Sequence, residues 1–290
     1  MGKNSKILLI FTVVTAAVSV LFRVFQLLVA VDYSEMGFFS PDAGFLASQG
    51  LYIIFAAGAV ALTAGAVLDK RKGSSSFSVM PQAFDPKQTA VMGGAFLIGA
   101  CLRLYDLVFN FGGFSVDFFG EVIIFAVFTA IGFILLAHKG LKPATGYLQL
   151  VISISYTVKA ASLFMQDTII VRVSDELILL LSYVASVLFF LALGRFISSN
   201  ESKSSRFKLI IFAGASTILS LCASLPGHIA LIIDSDYMKG HMEMHPISQL
   251  GTAIVAAAVL AVMYRKKNYI EKNGEPDEKN ENSENVRVPE

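Results

Sequence analysis

Residues 89–111 read Thr-Ala-Val-Met-Gly-Gly-Ala-Phe-Leu-Ile-Gly-Ala-Cys-Leu-Arg-Leu-Tyr-Asp-Leu-Val-Phe-Asn-Phe. At ~1.5 Å per residue, a helix of ~20 apolar residues crosses the hydrocarbon core of a bilayer, so this stretch predicts a membrane span. Its only charges are Arg103 and Asp106. A charge at bilayer depth costs roughly 2.5–3.5 kcal/mol on insertion scales, so each needs a partner or a task.

Working outward, apolar stretches recur at about 7–31, 47–68, 118–137, 145–166, 175–195, 208–233 and 247–264. With 89–111 they predict eight spans in an all-α, polytopic membrane helix bundle. The bundle occupies residues 1–265 as one domain. Residues 266–290, rich in Asn, Glu and Lys, predict a disordered cytoplasmic tail with little to bury. The basic N-terminus leads into an apolar run too long for a cleaved signal, so it is expected to be the first span.

The wider composition agrees. The chain is 55% hydrophobic and 16% charged, against about a quarter charged in soluble domains. Unbroken apolar runs, rather than alternating ones, argue against an outer-membrane barrel. A net charge of +1 and no separate basic domain predict no nucleic-acid partner. The bilayer itself is the expected surrounding.

Orientation follows from the connections. Lys3 and Lys6, Lys70 to Lys72 with Lys87, Lys139 and Lys142, Arg195 with Lys203, Arg206 and Lys208, and Arg265 to Lys267 fall on one side. The alternate connections carry only Arg172 and Lys239 among many acids. The positive-inside rule then places both termini in the cytoplasm of a plasma or inner membrane. The layout resembles that of small bacterial inner-membrane proteins.

A repeat underlies the spans. Aligning 20–39 with 100–119 without a gap sets Arg23 against Arg103, Gln26 against Asp106, and Phe38-Phe39 against Phe118-Phe119. Lys159 and His228 occupy related places in the fifth and seventh spans. The even spans open with Gln49, Glu121, Glu176 and Gln249. Four hairpins are therefore expected, each rising with a basic residue near its outer end and returning with an amide or acid. Parallel internal repeats are a recurring transporter construction.

Arg23, Gln49, Arg103, Asp106, Glu121, Lys159, Glu176, His228 and Gln249 form the candidate site, about 12 Å below the outer surface at ~1.5 Å per residue. The pairings expected are Arg103 with Asp106 or Glu121, Lys159 with Glu176, and Arg23 with Asp106 or Gln49. Two tasks fit them. They could line an outward-facing site that binds or transports a small polar solute. Alternatively they are structural ion pairs in a membrane scaffold or accessory subunit. Three cations beside three acids do not choose the sign of a ligand. Ala57-Ala61-Gly65 and Ala253-Ala257-Ala261 predict close helix packing.

Other chemistry finds little support. Cys101 and Cys222 lie in spans and read as small apolar fillers. No zinc or redox framework is present, and no cofactor is expected. The loop Tyr237 to Pro246 offers His and Met ligands suited to copper, but no second such cluster accompanies it and no metal site is assigned. No phosphate loop, HExxH, GxSxG or GxGxxG occurs, so no catalytic residue is assigned and a non-enzymatic protein is expected.

Overall fold

The computed structural model describes residues 3–32, 38–39, 44–72, 86–109, 115–138, 143–166, 175–198, 203–233 and 246–273. Among the described residues there are eight α-helices: α1 (Lys3–Phe25), α2 (Phe45–Lys72), α3 (Pro86–Phe109), α4 (Val116–His138), α5 (Pro143–Gln166), α6 (Asp175–Ser198), α7 (Lys203–Ile233) and α8 (Ser248–Asn273). α1 continues as a π-helical turn, Gln26–Ala30, and then into a two-stranded antiparallel ribbon pairing Val31 with Phe39 and Asp32 with Phe38. Seven helices are long and apolar enough to cross a membrane, and Ser248–Met263 of α8 forms a shorter apolar stretch. The chain is a multi-pass membrane protein.

Each sequential hairpin packs as expected, α1 on α2, α3 on α4, α5 on α6 and α7 on α8. The hairpins are not equivalent, however. α4 also packs on α5, α6 on α7, and α8 back on α3, which closes α3 to α8 into a ring of six helices. The α1–α2 hairpin lies outside this ring, against α7.

One contact sets the closure between α8 and α3. A Cβ at Gly251 would lie 2.7 Å from the Gly99 Cα, so only two glycines let these backbones approach so closely. The small-residue faces expected from spacing alone do not make the tightest contacts. Ala57 and Ala261 are exposed. On α2 the buried face is Leu51, Leu62 and Ala66, with Gly58 against Thr15. A stripe of small residues marks a possible face, but the register within the bundle decides which face is covered.

The ring interior is aromatic. Phe96, Phe128, Phe189, Phe190 and Tyr156 are at most 1% exposed. Phe128 meets Phe96 and Phe190 edge-on, and Tyr156 stacks on Phe190 at 5.9 Å. Buried hydroxyls return to their own helices, as Ser186 does to the Ser182 carbonyl and Ser224 to Ser220. Such back-bonding satisfies a hydroxyl where lipid offers no partner.

α8 runs to Asn273, past residue 266 where the tail was expected to begin. Good helix formers and a turn already nucleated carry a helix beyond its apolar face. Residues 274–290, most of the connection after α2, and the Met/His-rich segment 238–245 lie outside the described residues.

Candidate ligand-binding site

Three charged side chains meet inside the ring, one to two turns from the end at which α3 and α5 finish. Glu121, in the second turn of α4, accepts Arg103 of α3 on one carboxylate oxygen and Lys159 of α5 on the other. All three are at most 2% exposed. Gly120 makes the approach possible, since a Cβ there would lie 3.1 Å from Cγ of Lys159. Lys159 is thereby drawn across α4 to Glu121, not to Glu176 as spacing suggested. Glu176 is half-buried at the start of α6.

Arg103 is the hub. It also donates to the Tyr156 hydroxyl of α5 and, at 2.6 Å, to Oγ1 of Thr252 on α8. The Tyr156 and Thr252 hydroxyls bond each other. The guanidinium carbon sits 4.5 Å from the centre of the Phe128 ring, and Lys159 Nζ 5.1 Å from that of Tyr183 on α6. These cation–π contacts replace part of the lost hydration, and Arg suits the role because its planar group is weakly hydrated. Groups from α3, α4, α5, α6 and α8 converge here, so the cluster lies on the ring axis, with the aromatic layer closing it below.

Asp106, one turn from Arg103, takes a different task from those expected. Its two oxygens accept the backbone N–H groups of Ser248 at 2.6 Å and Ile247 at 3.2 Å. It caps α8 and sets a negative charge at the positive end of that helix dipole. The aligned residue in the first hairpin acts similarly. Gln26 accepts Arg23 at 3.0 Å and donates to the carbonyls of Ala47 and Ser48 in the first turn of α2. The first two hairpins thus each have a basic residue followed, three positions later, by the side chain that ties its helix to the start of another.

Arg23, 1% exposed, stands apart from the ring cluster. It lines a cavity with Leu27, Ile178, Cys222, Ala223, Pro226 and Gly227, with room for about one water. Two irregular helices flank that cavity. α1 widens into its π turn, and Pro226 inside α7 removes the N–H that would bond the Cys222 carbonyl. Cys222, read as filler, also turns its sulfur to the Ser19 carbonyl at 3.8 Å.

The remaining candidates divide. Gln49 is exposed and takes no place in the cluster. His228 is half-buried on α7, and its Nε2 is buried without a hydrogen-bond partner. Gln249 is fully buried on α8, between Ser248 and Thr252. Tyr156, Tyr183, Phe128 and Thr252 were not legible as site residues. One signal existed: Tyr156 precedes Lys159 by three positions and so shares its helix face.

Comparison with protein-family models, curated proteins and solved structures finds no match for this chain.

Proposed function

We propose that this membrane protein binds or moves a small polar solute at the axis of its six-helix ring, reached from the end where α3 and α5 finish. The observation that carries this reading is that two buried cations, from α3 and α5, share one carboxylate at the centre of a closed ring. Ionisable groups within a bundle mark solute or ion pathways when they face a common interior. The distribution of Lys and Arg in the connections supports an outward opening for this site and cytoplasmic termini. The activity proposed is non-enzymatic.

A structural reading has its own support. Both Glu121 oxygens are engaged, Arg103 is bonded on three helices, and the charges leave little to water. In that reading the protein is a scaffold or accessory subunit held together by its polar core.

Water access separates the two. In a background with Cys101 and Cys222 replaced by alanine, Ser248→Cys and Thr252→Cys introduce thiols of similar size beside the cluster. Labelling of folded protein by a membrane-impermeant maleimide, from the proposed outer side, is the expected result. Absence of labelling, with a reactive loop cysteine as control, would establish a sealed polar core and the scaffold.

A further inference from the structure

Asp117 stands over the ring cluster without a bonded partner among the described residues. It occupies the first turn of α4, is half-buried, and precedes Glu121 by one turn on the same helix face. It lies close enough to Lys159 and Glu121 for their charges to act on its own. The groups beneath it need no further charge. Arg103 and Lys159 are balanced by Glu121 and by Asp106 at the start of α8, all at most 2% exposed. Asp117 is therefore an acid in excess, set toward the end at which α3 and α5 finish.

The stem of Lys159 gives that acid a role. Its Cγ and Cδ pass 3.1 and 3.4 Å from the place of a Cβ on Gly120. The chain thus crosses α4 within the turn that separates Asp117 from Glu121. From there Nζ is bonded to Glu121, while Asp117 lies about 4.5 Å along the helix the other way, at ~1.5 Å per residue. A flexible four-carbon stem spans that shift, and the missing side chain at Gly120 leaves it room.

Two arrangements of the charges follow. With Lys159 on Glu121, one carboxylate serves two cations and Asp117 serves none. With Lys159 on Asp117, Arg103–Glu121 and Lys159–Asp117 form two neutral pairs. The first arrangement keeps the Tyr183 ring 5.1 Å from the ammonium. The second returns part of the ammonium's hydration, because Asp117 is only half-buried. Each gains what the other gives up.

We infer that Asp117 is a positioning residue of the site: it draws Lys159 outward from Glu121, and this exchange opens the axial cluster to solute. The Glu121 oxygen that Lys159 leaves accepts a donor group of the solute, while Arg103 holds the other oxygen in place. This rests on the solute-binding reading above and supplies its gate.

The test follows the Lys159 amine itself. The full chain in lipid nanodiscs is treated at one pH with N-hydroxysulfosuccinimide acetate, an impermeant acylating reagent. Peptide mass spectrometry then reads Lys159 against Lys239, in the connection between α7 and α8. Slow but measurable acylation of Lys159 is expected in the native chain. Asp117→Asn should lower the rate about fivefold, the factor for a partly exposed ion pair, and Asp117→Glu should keep it. Electrostatics alone predicts the reverse, since losing a nearby negative charge favours the neutral, reactive amine.

Equal or faster acylation in Asp117→Asn would overturn the inference. A lowered unfolding temperature of that variant would do the same, by making the acid a structural one. If Lys239 is acylated and Lys159 never is, the lysine does not leave Glu121. Thiol access at Thr252→Cys is read independently, so the solute-binding reading stands or falls apart from this exchange.

Discussion

Arg103 donates to the Tyr156 hydroxyl across the axis of the ring, although α3 and α5 are not adjacent in it. Neighbouring helices in a bilayer are held by close packing, which reaches only adjacent elements. A side chain that spans the axis ties elements that packing cannot. Arg103 does this with α4, α5 and α8 together. Its length and fixed fork of donors explain why Arg and not Lys occupies the hub.

The two-to-one charge count predicts unequal mutants. Removing Glu121 leaves two cations facing each other without an anion, whereas removing Lys159 leaves the neutral pair Arg103–Glu121. Glu121→Gln is expected to cost about 3–5 kcal/mol, and Lys159→Met to change stability by only ~1 kcal/mol. Adding Lys159→Met to Glu121→Gln should recover part of the loss. Denaturation in a mild detergent, followed by intrinsic tyrosine fluorescence, gives the order. Equal losses for the two single variants would mean that the three charges do not act as one cluster.

Asp106 gives a local prediction. It serves the first amides of α8, so Asp106→Ala should fray that end and cost about 1–2 kcal/mol, the usual range for a lost cap. Hydrogen exchange of the Ile247 to Leu250 amides should accelerate, while amides in the middle of α5 stay unchanged. Asp106→Asn keeps an acceptor and should lie between. Unchanged exchange in Asp106→Ala would show that the capping contact does not hold the helix end.

The α3–α8 seam predicts a sharp contrast between a glycine of α8 and a glycine of α3. A Cβ at Gly251 would meet the Gly99 backbone at 2.7–3.3 Å, whereas one at Gly94 would meet nothing within 4 Å. Gly251→Ala should therefore cost about 1–3 kcal/mol through overpacking. Gly94→Ala should be neutral or slightly stabilising, because alanine is the better helix former. Folded yield and unfolding temperature of the two variants would check this. A tolerated Gly251→Ala would mean that α8 can move off α3, and with it Thr252 off Arg103.

Much of this architecture is readable from the chain. Unbroken apolar runs fix the helices and their number, because the bilayer demands internally bonded segments of one length. The pairing of Arg23 with Arg103, and of Gln26 with Asp106, also survives as a common construction. What spacing cannot supply is which helices face each other. Glu121 and Glu176 are alike as sequence, and only the α4–α5 contact with Gly120 beneath Lys159 chooses between them. Tyr156 and Thr252 are separated by 96 positions and meet because the ring closes. Nothing local to either residue encodes that meeting.

Phe128 provides the last prediction, on the floor of the site. It is fully buried, lies under the Arg103 guanidinium, and packs on Phe96 and Phe190. Phe128→Ala removes the packing and the ring face together, and should cost about 3–5 kcal/mol. Phe128→Leu keeps most of the volume and loses the cation–π contact and the ring-edge contacts to Phe96 and Phe190, for about 1–2 kcal/mol. The same ring separates the cluster from the opposite end of the bundle. A Thr252→Cys thiol should therefore stay unreactive to an impermeant reagent applied from the side of the charged connections, and become reactive in the Phe128→Ala background. Reactivity from that side with Phe128 intact would place the barrier elsewhere and reverse the proposed direction of entry.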